Sequence, residues 1–475
     1  MLFTSLEFVF LFLPVVLGIN FILPRKMRNY WLMLASLFFY GWGEPEFLLI
    51  MIGSILFNYF SAWKMSELRE EGKETYCKFT LIFTIVMNLL LLFRYKYMNF
   101  VTATLLNSLP FTAGWVTQTE IELPIGISFF TFQAISYVVD VYRGTKVQKN
   151  PGYVALYISL FPQLIAGPIV RYNTVANEIE HREITGTMFS EGVLRFLRGF
   201  NKKVLLANLL AVVADASWDN GGRSVAMAWL GALCYMLQIF FDFSGYSDMA
   251  IGLGKMLGFH FPENFNYPYI SKTISEFWRR WHISLSSWFR DYVYIPLGGS
   301  RVRTKGRLIF NLCTVWLLTG IWHGANWSFL AWGALYAFFI CAEKIFGMEK
   351  LVKEHRILGW CYQGVTLLII LLLWVLFRSE DIRIAWYYLH CMLGLNGNAL
   401  GDASVLFYVR EYRVPLAVGI LCCTPLFQKL QESWEAKGKG ELCNALTAVC
   451  QMVLFVFSLS YLVIDAHNPF IYFNF

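Results

Sequence analysis

The chain has 475 residues, of which 57% are hydrophobic and 15% charged. A soluble domain carries roughly a quarter charged residues, so this composition excludes a soluble globular protein and indicates a polytopic membrane protein. The formal net charge is +7, from 39 basic and 32 acidic residues; in such a chain a basic excess marks cytoplasmic loops rather than a nucleic-acid partner.

Apolar runs approaching the ~20 residues of a bilayer crossing occupy 5–23, 29–42, 45–63, 79–93, 121–141, 152–170, 201–217, 225–243, 308–342, 358–377, 413–427 and 441–464. Several are short or interrupted by Pro and Gly, so the reading is about eleven crossings plus re-entrant or interfacial pieces; broken backbone is tolerated at membrane depth only inside protein or along a wet cavity. The first run is followed by Arg25, Lys26 and Arg28. That charge order is the reverse of a signal peptide and predicts an uncleaved span with its N-terminus outside. No internal repeat is visible, which argues against inverted-repeat transporter folds. The ten cysteines lie mostly inside apolar runs, without CxxC spacing, and read as small apolar fillers rather than a metal or disulfide framework.

"FDFSGYSD" (241–248) places Asp242 and Asp248 at what reads as a span end, where solvated carboxylates are the ordinary expectation. "GLGKMLGF" (252–259) lacks the spacing of a nucleotide loop and reads as helix packing. The segment 264–307 is both aromatic and basic, and between 272 and 307 only Glu276 and Asp291 oppose eight Lys and Arg residues. It is expected on the cytoplasmic side. Trp278, Trp281, Leu285 and Trp288 recur at spacings of three, four and three, with Arg279 and Arg280 beside them. The stripe predicts an amphipathic helix in the interface plane, either a surface anchor or a wall of a site for a negatively charged cytoplasmic donor.

From 308 to 342 there is no Asp, Glu, Lys or Arg, yet "TGIWHGANW" (319–327) sets His323 near the middle of the run. As one straight helix these residues would extend about 52 Å, against a ~30 Å hydrocarbon core. The run must therefore tilt strongly or break, and a break or turn between Gly320 and Gly324, which bracket His323, is the favoured expectation, with the imidazole facing a cavity. Of the seven histidines, His282 in the aromatic-basic segment and His323 in the apolar run stand out, because an ionisable residue at membrane depth is a functional candidate. Desolvation lowers an imidazole's pKa, so a buried His323 should be neutral and able to act as a general base. A proton relay in a transporter would need intramembrane carboxylate or charge-pair partners, and none is evident in the sequence. No GxSxG elbow, zinc-peptidase spacing, P-loop or Rossmann fingerprint occurs.

Five longer motifs, "LPIGISFFTFQAISYVVDVYR" (123–143), "FPQLIAGPIVR" (161–171), "FDFSGYSDMAIGLGKMLGF" (241–259), "PENFNYPYISKTISEFWRRWHISLSSWFRDYVYIPLGGSR" (262–301) and "GIWHGANW" (320–327), together with the ending "FIYFNF" (470–475), closely resemble the membrane-bound O-acyltransferase family, in the branch typified by alginate O-acetyltransferase. The resemblance spans nearly the whole chain. It implies an all-α membrane domain over 1–475 around a central tunnel, with N-terminal spans to 120, a catalytic core over 121–345 and C-terminal spans over 346–475. It also implies acyl transfer from a thioester to a hydroxyl, with the family's signature histidines at His282 and His323. His323 would then be buried because the reaction runs between two aqueous phases, in dry surroundings that protect the activated acyl group.

Related bacterial systems imply a cytoplasmic donor, acetyl-coenzyme A or another acyl thioester, with no bound cofactor and no metal. The expected acceptor is an external cell-surface polysaccharide or cell-wall polymer, reached through an extracytoplasmic partner of esterase-like fold, with the chain in the cell membrane among its lipids. Arg279 and Arg280, with Trp278 and Trp281, are the expected donor-binding residues, because guanidinium groups recognise phosphates. Asp242 and Asn326 are expected in support. D-alanyl-transferring relatives share the histidine pair but are usually shorter and lack "YIPLGGSR", which favours the acetyl branch. A transporter of an acylated intermediate is the alternative from another class.

Overall fold

The structure is a computed structural model that describes residues 1–108, 121–219, 223–464 and 471. Among the described residues every regular element is helical, as expected where backbone polar groups have no water to bond. Among the described residues six helices are long and apolar enough, by length and composition, to cross a membrane, or seven if the bent pair Arg413–Cys422 and Leu426–Ala436 counts as one span. The expected count of about eleven is not confirmed, for local reasons. The helices Phe8–Ile22 and Ile127–Tyr142 are apolar but short. The 152–170 run breaks at Leu160 into Pro151–Ser159 and Phe161–Leu164, and a π-helical stretch, Lys203–Asn208, interrupts the 201–217 run.

The described residues form two compact units, Met1–Phe196 with Met249–Pro262, and Leu197–Asp248 with Glu263–Phe475. In the first unit the helices Leu48–Glu70 and Glu74–Leu92 turn back through Gly72 at φ 73°. Across them Asn58 and Asn88 exchange side-chain amide hydrogen bonds of 3.1 and 2.8 Å, both residues buried; paired amides satisfy each other where no water can. Gly192 and Gly252 also meet closely here. A Cβ on Gly252 would lie 2.6 Å from the Gly192 carbonyl oxygen, so the glycine in "GLGKMLGF" serves helix packing, as expected.

The second unit carries the candidate site on six helices: α1 (Val225–Met256, to Asp248 in this unit), α2 (Ile274–Arg280), α3 (Ile283–Phe289), α4 (Lys305–His323), α5 (Trp327–Phe346) and α6 (Arg356–Arg378). The helices Arg413–Cys422 and Leu426–Ala436 are bent by 61° beside Pro425, which has no N–H to continue the first helix. The unit's core is aromatic. Trp278, Trp281, Trp332, Trp374, Tyr269, Tyr336 and Phe277 are all buried, and their rings meet edge-on, tilted or, for Phe277 on Tyr269 and Trp281, stacked with an offset, arrangements the ring quadrupole favours.

Candidate active site

The 308–342 run does break where the glycines stand. Gly324, in extended conformation, ends α4, and Asn326 opens α5 by accepting a 3.1 Å hydrogen bond from the Ser328 N–H. The two helices return on each other as a hairpin. Its seam is made by Gly320 and Gly333, where a Cβ would come 2.5 Å from the Phe329 carbonyl oxygen and 2.6 Å from that of Trp316. His323 is the last residue of α4 and so lies at the apex of the hairpin, not midway along a straight span. Its ring is enclosed by Trp332 and Phe377, each 5.1 Å away between centroids, and by Trp322 at 4.9 Å. Only 4% of the residue is exposed.

The second histidine is placed by an unusual backbone. His282 has φ 45° and ψ 53°, the left-handed region that side chains other than Gly and Asn rarely occupy. This break splits the segment into α2 and α3. The aromatic stripe is therefore not one interfacial helix, which corrects the sequence expectation; Trp278, Trp281, Leu285 and Trp288 are all buried inside the protein. Asn264 braces the break, its carbonyl oxygen accepting from the Ile283 N–H at 3.0 Å and its side-chain oxygen from Ser284 N–H at 3.2 Å. His282 is completely buried, and that burial holds its pKa well below the ordinary imidazole value. The ring stands edge-on to Phe243 at 4.6 Å.

Trp322 joins the two. Its ring lies 5.9 Å from His282 and 4.9 Å from His323, so residues 41 positions apart in sequence share one indole. Two buried imidazoles against the same ring, among Trp and Phe side chains, form an aromatic enclosure in which a neutral imidazole can take a proton from a hydroxyl. Among the described residues no group of three His, Cys, Asp or Glu could hold a metal ion.

The other expected residues are distributed differently. Arg279 pairs with Glu349 at 2.7 Å, and Arg280 with Glu276 at 3.0 Å and the Asn266 carbonyl at 3.2 Å. Trp278 packs among Trp316, Trp332 and Tyr336, and Trp281 against Trp374; both lie in the aromatic core. Asn326 caps α5 and donates to the Glu380 carbonyl. Asp242 is neither at a helix end nor solvated, because α1 runs on to Met256 and the residue is 1% exposed. It pairs with Lys203 at 2.7 Å and accepts from the Ile471 N–H at 2.9 Å. Asp248 is likewise buried and takes Lys202 at 2.6 Å. Charge pairs on a spanning helix thus exist, contrary to the reading that none was evident.

Three contributors were missed in the sequence. Asn264 carried one weak signal, as one of two amides, with Asn266, in the aromatic stretch "PENFNYP". Lys203 stood in plain view inside the apolar run 201–217. Glu343, 2% exposed, accepts from the Ile274 and Ser275 N–H groups at 2.6 and 2.8 Å. It thereby ties α5 to the start of α2, satisfying helix-end donors; no local pattern announces that pairing.

Comparison with known proteins gives consistent matches. The model of the membrane-bound O-acyltransferase family, MBOAT, matches residues 47–379. The chain is similar to the probable alginate O-acetylase AlgI of Pseudomonas aeruginosa, 43% identical over 409 residues that cover 85% of this chain and 77% of that one. It is similar to the peptidoglycan O-acetyltransferase of Helicobacter pylori, 36% identical over 446 residues, covering 85% and 82%. To the teichoic acid D-alanyltransferase of Bacillus subtilis it is 31% identical over 253 residues, covering 49% and 61%.

Proposed function

Because this chain belongs to the membrane-bound O-acyltransferase family, we propose that it is an O-acetyltransferase passing acetyl groups from a cytoplasmic thioester toward a cell-surface polysaccharide. The donor is acetyl-coenzyme A or a related acyl thioester, and the acceptor an alginate-like or cell-wall polymer outside the cell membrane. The observation that carries this reading is the pair of buried histidines, His282 and His323, against one indole. The named O-acetylating relatives, similar over 85% of the chain, support the acetyl group. The D-alanyl reading draws on 49% of it.

In this mechanism a neutral His323 accepts the proton of the acceptor hydroxyl as its oxygen attacks the thioester carbonyl carbon. The new C–O bond forms, the C–S bond breaks, and the proton passes on to the departing thiolate. The aromatic walls exclude water that would otherwise hydrolyse the donor. Lys305 and Arg307 begin α4 and His323 ends it, a rise of about 27 Å along the helix axis. With the basic end on the cytoplasmic side, His323 meets the acceptor from the opposite face, while the donor enters from the basic end.

His323→Ala should abolish the ester content of the extracellular polymer while the protein still accumulates in the membrane. Near-normal ester content in cells carrying that variant would sink the assignment. Supplying purified protein with acetyl and D-alanyl thioesters separates the two acyl readings.

A further inference from the structure

We propose that Asn264 is a positioning residue for His282, fixing the imidazole with its hydrogen on Nδ1 so that Nε2 carries the ring's lone pair beside His323 and Trp322. The argument begins with a group that has no choice of role. The backbone N–H of Ser284 can only donate, and it lies 3.2 Å from one terminal atom of the Asn264 side chain. That atom is therefore the amide oxygen. The Ser284 hydroxyl reaches the same oxygen at 2.9 Å, and the other end of the amide, Nδ2, donates to the Ser247 hydroxyl at 3.1 Å. The amide orientation is thus fixed by the Ser284 N–H, and the Ser247 hydroxyl, which can accept, is compatible with it.

Nδ1 of His282 lies 3.1 Å from this same oxygen and 3.5 Å from the Ser284 hydroxyl, whose hydrogen is committed to the shorter contact with Asn264. Two lone pairs facing each other at that distance repel, so Nδ1 must carry the hydrogen and donate it. The lone pair of the neutral ring is then on Nε2. Ser247 belongs to α1, as does Phe243, whose ring holds the imidazole from the side at 4.6 Å, so the orienting shell is built on a long buried helix rather than on a loop.

Backbone and side chain act together here. The left-handed conformation at His282 crowds Cβ against the backbone and persists only where its surroundings over-determine it. Asn264 does so twice, with its main-chain oxygen on Ile283 N–H and its side-chain oxygen on Ser284 N–H. It also matters that the brace is an amide. A carboxylate in the same place would stabilise the imidazolium, whereas an amide orients the ring without adding charge.

The tautomer follows from geometry alone; its use in catalysis rests on the acyl-transfer reading above. The test is solid-state nitrogen NMR of the full-length chain, labelled with 15N-histidine and held in lipid bilayers. The His282 signals are identified as those lost in His282→Gln. At neutral pH the expected wild-type signature is a hydrogen-bearing Nδ1 and an unprotonated Nε2. Asn264→Leu should shift the ring to the other tautomer or a mixture, while Asn264→Asp, which keeps an acceptor, should retain the hydrogen on Nδ1. In acetyl transfer, Asn264→Leu should lower kcat by about 10²-fold with little change in donor KM, and Asn264→Asp should restore part of that loss.

A hydrogen on Nε2 in the wild type overturns the proposal, as does an Nδ1–H signature that survives Asn264→Leu. Should Asn264→Leu fail to accumulate, the wild-type and Asn264→Asp spectra decide. The expected tautomer in a wild-type protein that transfers no acetyl group would uphold the positioning role and defeat the acetyl reading instead.

Discussion

Arg279 and Arg280 are neighbours in sequence but are held differently, and the difference separates donor binding from architecture. Arg279 is 57% exposed at its side chain and pairs with Glu349; such an exposed pair is worth about 0.2–1 kcal/mol, so a phosphate can displace the carboxylate. Arg280 is tied to Glu276 on its own helix and to the Asn266 carbonyl, and bracing the turn before His282 is its first task. Arg279→Glu is thus expected to raise donor KM about tenfold with kcat little changed; unchanged donor affinity would make it an anchor for Glu349 or lipid headgroups. Lys203 and Asp242 present the opposite case, since both side chains are at most 4% exposed. Removing one partner leaves an uncompensated buried charge, which costs about 3–5 kcal/mol. Asp242→Asn should therefore lower the protein's thermal stability sharply, and adding Lys203→Met should recover part of the loss. If the double variant is less stable than either single one, the pair is not what holds that region. A pair closed in this way, with Asn208 on the lysine at 2.8 Å and the Ile471 N–H on the aspartate, is built as a fastening. It adds nothing to the transporter alternative.

At the scale of elements, the hairpin α4–α5 and the broken α2–α3 segment position the two histidines by different means. The hairpin depends on close approach. A Cβ at Gly320 would strike the Phe329 carbonyl oxygen at 2.5 Å, a backbone atom that cannot move aside, and forcing the helices apart costs about 1–3 kcal/mol. Displacing the apex by even an ångström misaligns His323, so Gly320→Ala should cut acetyl transfer by about 10²-fold. Gly306, on the same helix with nothing within 4 Å of a built Cβ, supplies the control, and Gly306→Ala should be silent. Equal losses in both variants would refute the packing argument. The hairpin was legible in the sequence because a 35-residue uncharged run cannot stay straight in a bilayer and two glycines mark its middle. The α2–α3 break was not. "WRRWHISLSSW" has helical periodicity throughout, and the left-handed turn at His282 is imposed by Asn264, 18 residues away. Asp242 was misread for a related reason: the sequence shows that α1 is apolar but not that Lys203 reaches it. Periodicity reports on an element's own faces, whereas these features are pairings between elements.

At the scale of the molecule, the described helices are joined by short segments. Among the described residues, no segment between helices approaches the ~50 residues of a carbohydrate-binding domain, so in the proposed reading recognition of an external polymer falls to another protein at the His323 end of α4. In the proposed reading an extracytoplasmic protein of esterase-like fold docks there, takes the acetyl group and hands it to the polymer. The sequence suggested the ending 470–475 as a contact for such a partner. Phe470 and 472–475 lie outside the described residues, while Ile471 is buried with its N–H on Asp242 and so belongs to this chain's own interior. The partner's footprint is better sought at the hairpin apex, where Trp327 is 56% exposed next to the Asn326 cap. Reconstituting the purified chain in vesicles with acetyl-coenzyme A and candidate polymers, with and without co-encoded secreted or anchored proteins, tests this directly. The chain alone should form little polymer ester, and the correct partner should restore transfer. Trp327→Ala should then impair the partner-dependent step while leaving donor binding intact. Full acetylation of polymer by the chain alone would rule the partner out.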